Sequence, residues 1–251
     1  MPRPLLVTIA ASHFCEKARW ALEWAGVAFE EDGHLPLFHV PAVRRAGGTR
    51  MVPVLRTDDG VLSDSTDILV WADGKAPPER RLLPREAAAR REVLDLEEGF
   101  DRRLGPDTRR WAYSFILPSS ALVRALASPG TPAWEQRVLA FTVPLVRAVI
   151  VRGLRIEPQR TLRSLGEIHR TFDAVGERLA DGRRYLVGDR FSAADLTFAS
   201  LAAPAVFPEG HPRLGSAIDV FPPASRAAIA AFREHPAGRF VQRLYTEERA
   251  C

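Results

Sequence analysis

Over its first 75 residues the chain changes element type repeatedly, and after a proline-rich break it stops doing so. Leu5-Leu6-Val7-Thr8-Ile9 is a short apolar run suited to a buried strand. Residues from about Cys15 to Ala25 carry Ala18, Leu22 and Ala25 at helical spacing, with Gly26 where a C-terminal cap belongs. Val27 to Glu31 reads as a second strand, and a weaker helix is expected between Pro41 and Gly47. Val52 to Arg56 and Gly60-Val61-Leu62 pair around the turn Thr57-Asp58-Asp59-Gly60. A third helix starts near Ser65 and ends at Gly74. Strand, helix, strand, helix, strand, strand, helix is the order of an α/β layer.

The run Lys75-Ala76-Pro77-Pro78 to Pro84 is a linker, and beyond it only helical periodicity is found. Residues 86–104 carry Val93, Leu94, Phe100 and Leu104, and 134–152 read as a helix kinked at Pro144. Residues 159–180 repeat Leu162, Leu165, Ile168, Phe172, Val175 and Leu179 at intervals of three and four. The expected organisation is an α/β domain over 1–75, a linker over 76–85 and an all-helical domain over 86–251. In the second half, Phe191-Ser192-Ala193-Ala194-Asp195-Leu196 has the form of a helix start. Ser192 can cap, Asp195 can reach back to the cap's N–H, and Phe191 can staple onto Leu196. Asp195 is therefore assigned to structure rather than to chemistry.

Composition excludes several classes. With 46% apolar and 26% charged residues, wholesale disorder is not expected. The longest apolar stretch, Val138 to Val151, is interrupted by Pro144 and Arg147, short of the roughly 20 residues a bilayer span needs. The opening apolar run is too short for a secretory signal. Two cysteines, Cys15 and Cys251, make no disulfide framework and fit a reducing, cytoplasmic setting. The net charge of +4 comes almost wholly from arginine, since lysine occurs only at 17 and 75. The densest clusters, such as Arg109-Arg110, lack interleaved aromatics, so a solvated basic surface is expected rather than a nucleic-acid groove.

The residues with chemical promise gather in the α/β part. Ser12-His13-Phe14-Cys15 lies where the first strand passes into the first helix, so its side chains meet a helix N-terminus, a site favourable to anions. Val52-Pro53 precedes a strand, and a cis peptide there would turn the Val52 backbone outward to pair with an extended peptide. Asp64-Ser65 opens the third helix. Ser65 and the helix N-terminus can donate to a carboxylate while Asp64 accepts from an ammonium, which together make a receptor for a zwitterion. His13 has no evident partner and reads as a loop residue.

Ser12-x-x-Cys15-x-x-x-Arg19, then Met51-Val52-Pro53-Val54-Leu55, then Asp64-Ser65-Thr66-Asp67-Ile68-Leu69 resemble, in order and spacing, the N-terminal domain of the glutathione transferase family. Tyr185-Leu186-Val187-Gly188-Asp189-Arg190-Phe191-Ser192-Ala193-Ala194-Asp195 resembles that family's C-terminal motif. The resemblance spans almost the whole chain and implies a thioredoxin-like domain followed by a helical bundle. It implies that Asp64 and Ser65 hold the γ-glutamyl end of glutathione, that Val52 pairs with its cysteinyl backbone beside a cis Pro53, and that Ser12 activates the thiol. Cys15 then occupies the second position of a C-x-x-C motif whose first cysteine is serine here. Arg50 and His39 are candidates for the glycyl end. An electrophile pocket would use Phe14, Trp111, Tyr113 and Phe115, although aromatics on a helix also serve as core. Glutathione as co-substrate, a small electrophilic substrate, a homodimer and no metal are expected.

Simple energetics suit a serine. A free thiol has a pKa near ~8.5, and lowering it by about two units takes roughly 2.7 kcal/mol. One charge-assisted hydrogen bond supplies about 1.5–3 kcal/mol and a helix N-terminus about 0.3–1. Ser12 also reads as a plain helix cap and Cys15 as an inert packed thiol. Conjugation, with hydroperoxide reduction as a side activity, is the leading expectation. The alternatives are a thiol-disulfide reductase using Cys15, and a non-catalytic binding module on the same fold.

Overall fold

A computed structural model describes residues 2–127, 130–214, 218 and 221–249. Cys251 lies outside the described residues. The chain divides into two units: Met1–Arg81 with Arg124–Val146, and Leu82–Val123 with Arg147–Cys251.

In the first unit, β1 (Leu5–Ile9), α1 (His13–Trp24), β2 (Glu30–His34), α2 (His39–Arg45), β3 (Val54–Thr57), β4 (Gly60–Leu62) and α3 (Ser65–Lys75) follow one another. The four-stranded sheet has the order β2-β1-β3-β4, with β2 parallel to β1 and β3 and β4 antiparallel to their neighbours. β1 lies between two partners, and its Leu6, Val7 and Thr8 are wholly buried, as its unbroken apolar run requires. α1 stops at Gly26, whose φ of 70° suits a residue without a Cβ. There Gly26 N–H donates to Glu23 O and Val27 N–H to Leu22 O, closing the last turn. That closure explains the first departure from expectation. Val27 belongs to the helix cap, so β2 begins three residues later, where Glu30 N–H meets Pro4 O. Its sequence Glu-Glu-Asp-Gly-His is polar because it forms a sheet edge. β3 likewise starts at Val54 rather than Val52, since Pro53 has no N–H for the ladder. α2 starts two residues before the expected Pro41 and gives way to Gly47, at φ 98°.

The first unit also contains residues 124–146, which take in the end of α6 (Ser120–Ala127) and most of α7 (Ala133–Gly153). Pro144 sits inside α7. The second unit is built from α4 (Ala87–Gly99), a π-helical turn (Phe100–Leu104), α5 (Gly105–Ile116), α8 (Pro158–Leu179), α9 (Ala193–Val206), α10 (Pro223–Glu234) and α11 (Pro236–Glu247). α9 is buried along its whole length, the mark of a helix apolar on all sides. Phe172, Phe198, Phe232 and Phe240 pack in this core with Trp111. The end of the linker joins it too. Leu82 and Leu83 are buried, and Leu82 O accepts from Ala193 N–H.

Ser192 and Asp195 form the expected capping box at the start of α9. Asp195 does more than the local pattern suggests. Its Oδ2 accepts from Ser192 N–H at 2.9 Å and from the Ser192 hydroxyl at 2.6 Å, while Oδ1 accepts from Leu186 N–H at 2.7 Å. It thereby ties the preceding loop to the helix start.

Candidate functional site

Three stations meet at one end of the sheet. β1 runs out at Ile9 into the loop that ends at Ser12, the cap of α1. The antiparallel pairing of Val7 with Val54 carries Pro53 and Val52 alongside Thr8 and Ile9, the same end of β1. α1 packs on α3, and Lys17 Nζ donates to Thr66 Oγ1 at 3.0 Å, which brings the N-terminus of α3 beside α1.

At the first station Ser12 is half-exposed, and its Oγ accepts from Cys15 N–H at 3.4 Å. The cap uses the oxygen's lone pair, so the hydroxyl proton can still be donated outward. Cys15 is fully buried. Burial pushes its thiol pKa up, against the opposing pull of the Arg19 charge and the Ser12 hydrogen bond. His13 is not a loop residue as expected. It is the first residue of α1, buried, with its ring tilted on Phe14 at 4.6 Å.

Arg19 explains why this loop holds its shape. Its guanidinium is buried and pairs with Glu16 at 3.1 Å and Glu31 at 2.7 Å. It also donates to the carbonyls of Ala10 at 3.1 Å and Ile9 at 3.5 Å. Burial works against its charge, but Glu16 and Glu31 outweigh it and hold the group firmly protonated. Thr8 Oγ1 donates to the same Glu31 at 2.6 Å. Arg19, itself held by Glu16 and Glu31, therefore fixes the carbonyls of Ile9 and Ala10 in the loop that leads to Ser12. Arg19 is in the sequence motif, but its ion pairs are not readable there because a buried charge and an exposed one look alike in sequence.

At the second station the Val52–Pro53 peptide is cis. The Val52 side chain is partly buried against Val7, Ala42, Val43, Ala46 and Val54. At the third, exposed Asp64 caps α3 by accepting from Thr66 N–H at 2.8 Å, and Ser65 follows, 3% exposed, at the first helical position. Lys17 and Thr66 are the additions that sequence reading missed. The aromatic candidates divide. Phe14 is half-exposed in the first unit. Trp111 lies in the core of the helical unit, edge-on to Phe115 at 4.8 Å and Phe232 at 5.7 Å, while Tyr113 and Phe115 keep partial exposure. Arg110 serves structure, bonded to Asp107, Ser164 and Leu154 O. Among the described residues no cluster of three or more His, Cys, Asp or Glu side chains is placed to hold a metal ion, and no helix is long and apolar enough to cross a membrane.

The family model of the glutathione S-transferase N-terminal domain matches residues 6–80, and that of the glutathione S-transferase C-terminal domain matches residues 143–235. Together they cover more than half of the chain. The chain belongs to the glutathione S-transferase family. A search of curated proteins finds no match. Among solved structures, a possible glutathione S-transferase from Rhodopseudomonas palustris is 14% identical with a TM-score of 0.61, covering 96% of this chain and 92% of that one. The theta class glutathione S-transferase from Xanthomonas axonopodis pv. citri, with glutathione bound, is 20% identical with a TM-score of 0.59, covering 95% and 96%. A beta-etherase from a Sphingobium strain is 16% identical with a TM-score of 0.60, covering 95% and 98%. At these identities the likeness establishes the fold shared with this glutathione transferase family member: a small mixed sheet with helices, followed by a helical domain.

Proposed function

We propose that this glutathione transferase family member binds glutathione along the three stations and activates its thiol with Ser12, for attack on a small hydrophobic electrophile. The observation that carries the reading is the convergence at one sheet end of a half-exposed serine hydroxyl on a helix N-terminus, the Val52 backbone beside a cis Pro53, and the Asp64-Ser65 helix start. Among the described residues, the Val52 N–H and C=O make no hydrogen bond, so both can pair with an extended peptide. Ser65 and the first N–H groups of α3 suit a carboxylate, and Asp64 supplies the opposite charge for an α-ammonium group.

The thiolate formed at Ser12 would also reduce organic hydroperoxides. Cys15 is poorly suited to the alternative thiol-disulfide chemistry, because burial keeps its thiol protonated and away from a substrate. A homodimer in the cytoplasm completes the reading. Calorimetric titration with glutathione tests it, and Ser65→Ala should weaken binding by about 1–3 kcal/mol, the loss typical of a hydrogen bond to a charged group. No heat from the wild type up to millimolar glutathione would leave only a non-catalytic module.

A further inference from the structure

Glu135 of α7 is wholly buried within the first unit, far from the sequence motifs. Its Oε1 lies 2.5 Å from His34 Nδ1, and its Oε2 accepts from Leu35 N–H at 2.8 Å. His34 Nε2 is 3.0 Å from Asp32 Oδ1, off-line for a hydrogen bond. Two further contacts surround this one. A Cβ added to Gly33 would stand 2.4 Å from the carbonyl oxygen of Gly130, so the chain before α7 touches the backbone of β2 directly. Trp134 meets Phe38 edge-on at 5.8 Å. Residues 130–135 thus clamp residues 33–38 at three points. A buried carboxylate is weak evidence for stability but a good means of holding one geometry, since its donors are fixed in direction.

The clamped segment is the turn from β2 into α2, and a hydrogen-bonded series leads from it to the glutathione site. Leu35 N–H is held by Glu135, while Leu35 O accepts from Phe38 N–H at 3.1 Å and His39 N–H at 3.2 Å. Leu37, at φ 76°, donates its N–H to His39 Nδ1 at 3.1 Å. With Nδ1 accepting, His39 must carry its proton on Nε2, which lies 3.0 Å from Arg50 O and donates to it. Burial holds the His39 pKa down, which keeps this neutral tautomer. Arg50 stands two residues before Val52.

We infer that Glu135 is a positioning residue for the glutathione site, holding the β2–α2 turn so that His39 fixes the backbone from Arg50 to Val52. The inference rests on the glutathione reading above. Without the clamp the turn samples other conformations, and glutathione must order it on binding, which lowers affinity without altering the reacting atoms.

The test compares two substitutions that differ in accepting power. Glu135→Leu fills the space but accepts nothing, and it should raise the calorimetric Kd for glutathione roughly tenfold. Glu135→Gln still offers an oxygen to Leu35 N–H and should stay within about twofold of wild type. With chlorodinitrobenzene as the electrophile, KM for glutathione should follow Kd, while kcat at saturating glutathione and KM for the electrophile stay put. Gly33→Ala, which pushes the Gly130 turn away without touching Glu135, should reproduce the Glu135→Leu effect. Unchanged affinity in Glu135→Leu with an intact melt overturns the inference. So does a joint loss of kcat and of both KM values, the mark of a merely structural role. If Glu135→Leu fails to fold, Gly33→Ala decides alone, and an unchanged Kd overturns the inference. Failure of the wild type to bind glutathione removes the reading of the site, and this inference with it.

Discussion

The Ser12 oxygen accepts the Cys15 N–H while its proton remains available to an anion outside the helix. One side chain thus caps α1 and presents a donor, so the structural and chemical readings of Ser12 are compatible. Ser12→Ala should lower kcat/KM for conjugation by about 10–100-fold, from the loss of one charge-assisted hydrogen bond. Glutathione affinity should change little, because the two ends of the peptide supply most of the binding. Thiolate absorbance against pH should show the bound thiol's pKa returning toward about 8.5. Cys15→Ala should leave turnover near wild type. Loss of turnover in Cys15→Ala beside an active Ser12→Ala would reverse these roles. Ser12 was readable from the sequence because a cap announces itself within four residues. The contribution of Arg19 was not, since its partners Glu31, Ile9 and Ala10 lie on other elements.

Among the elements, α9 shows how far a local motif can be trusted. The Ser192–Asp195 box follows from spacing alone and forms as expected. Spacing does not disclose the third bond, from Leu186 N–H, which comes from a loop folded back on the helix start. Asp195→Ala therefore removes more than a cap: it leaves two buried N–H groups without an acceptor, and should cost about 2–4 kcal/mol of stability, read by urea unfolding. Burial pushes the Asp195 carboxyl up to about 6, against the pull of Leu186 and Ser192. Between its usual value of 3.8 and about 6, the folded protein keeps a proton that the unfolded chain has released. The stabilisation from the protonated form is fully present below pH 3.8 and lost as pH rises through about 6. Wild type should lose up to about 3 kcal/mol across that window relative to Asp195→Asn, whose side chain does not titrate. A flat difference between the two melts would contradict the raised carboxyl.

At the scale of the molecule, the arginine-rich composition resolves into dispersed ion pairs. Arg160 with Glu157, Arg178 with Glu92, Arg183 with Asp181 and Arg243 with Glu247 are examples spread over separate elements of the helical unit. Such pairs shape solubility more than stability. Apolar exposure is the more telling feature: Met51 is 59% exposed and Phe141 88%. Family membership leads us to expect that two copies associate. Sedimentation at micromolar concentration should find a dimer, and the melting temperature should rise with protein concentration, as linkage requires. A monomer with a concentration-independent melt would remove that expectation.

Periodicity, caps and breakers act over a few residues, so the sequence by itself determined the alternating first part, the helical second part, and the positions of Ser12, Pro53, Ser65 and Asp195. It misplaced β2 because the edge strand is polar and the cap at Gly26 takes Val27, the first of the residues that looked extended. Only the tertiary structure decided which charges would be buried and against what. Glu16, Arg19, Lys17 and Glu135 are ordinary charged residues to any local pattern, and each is buried. Glu135 meets Leu35 across a separation of 100 residues. A buried charge is defined by its partners, and partners that far apart are chosen by how the chain packs rather than by what its neighbours are.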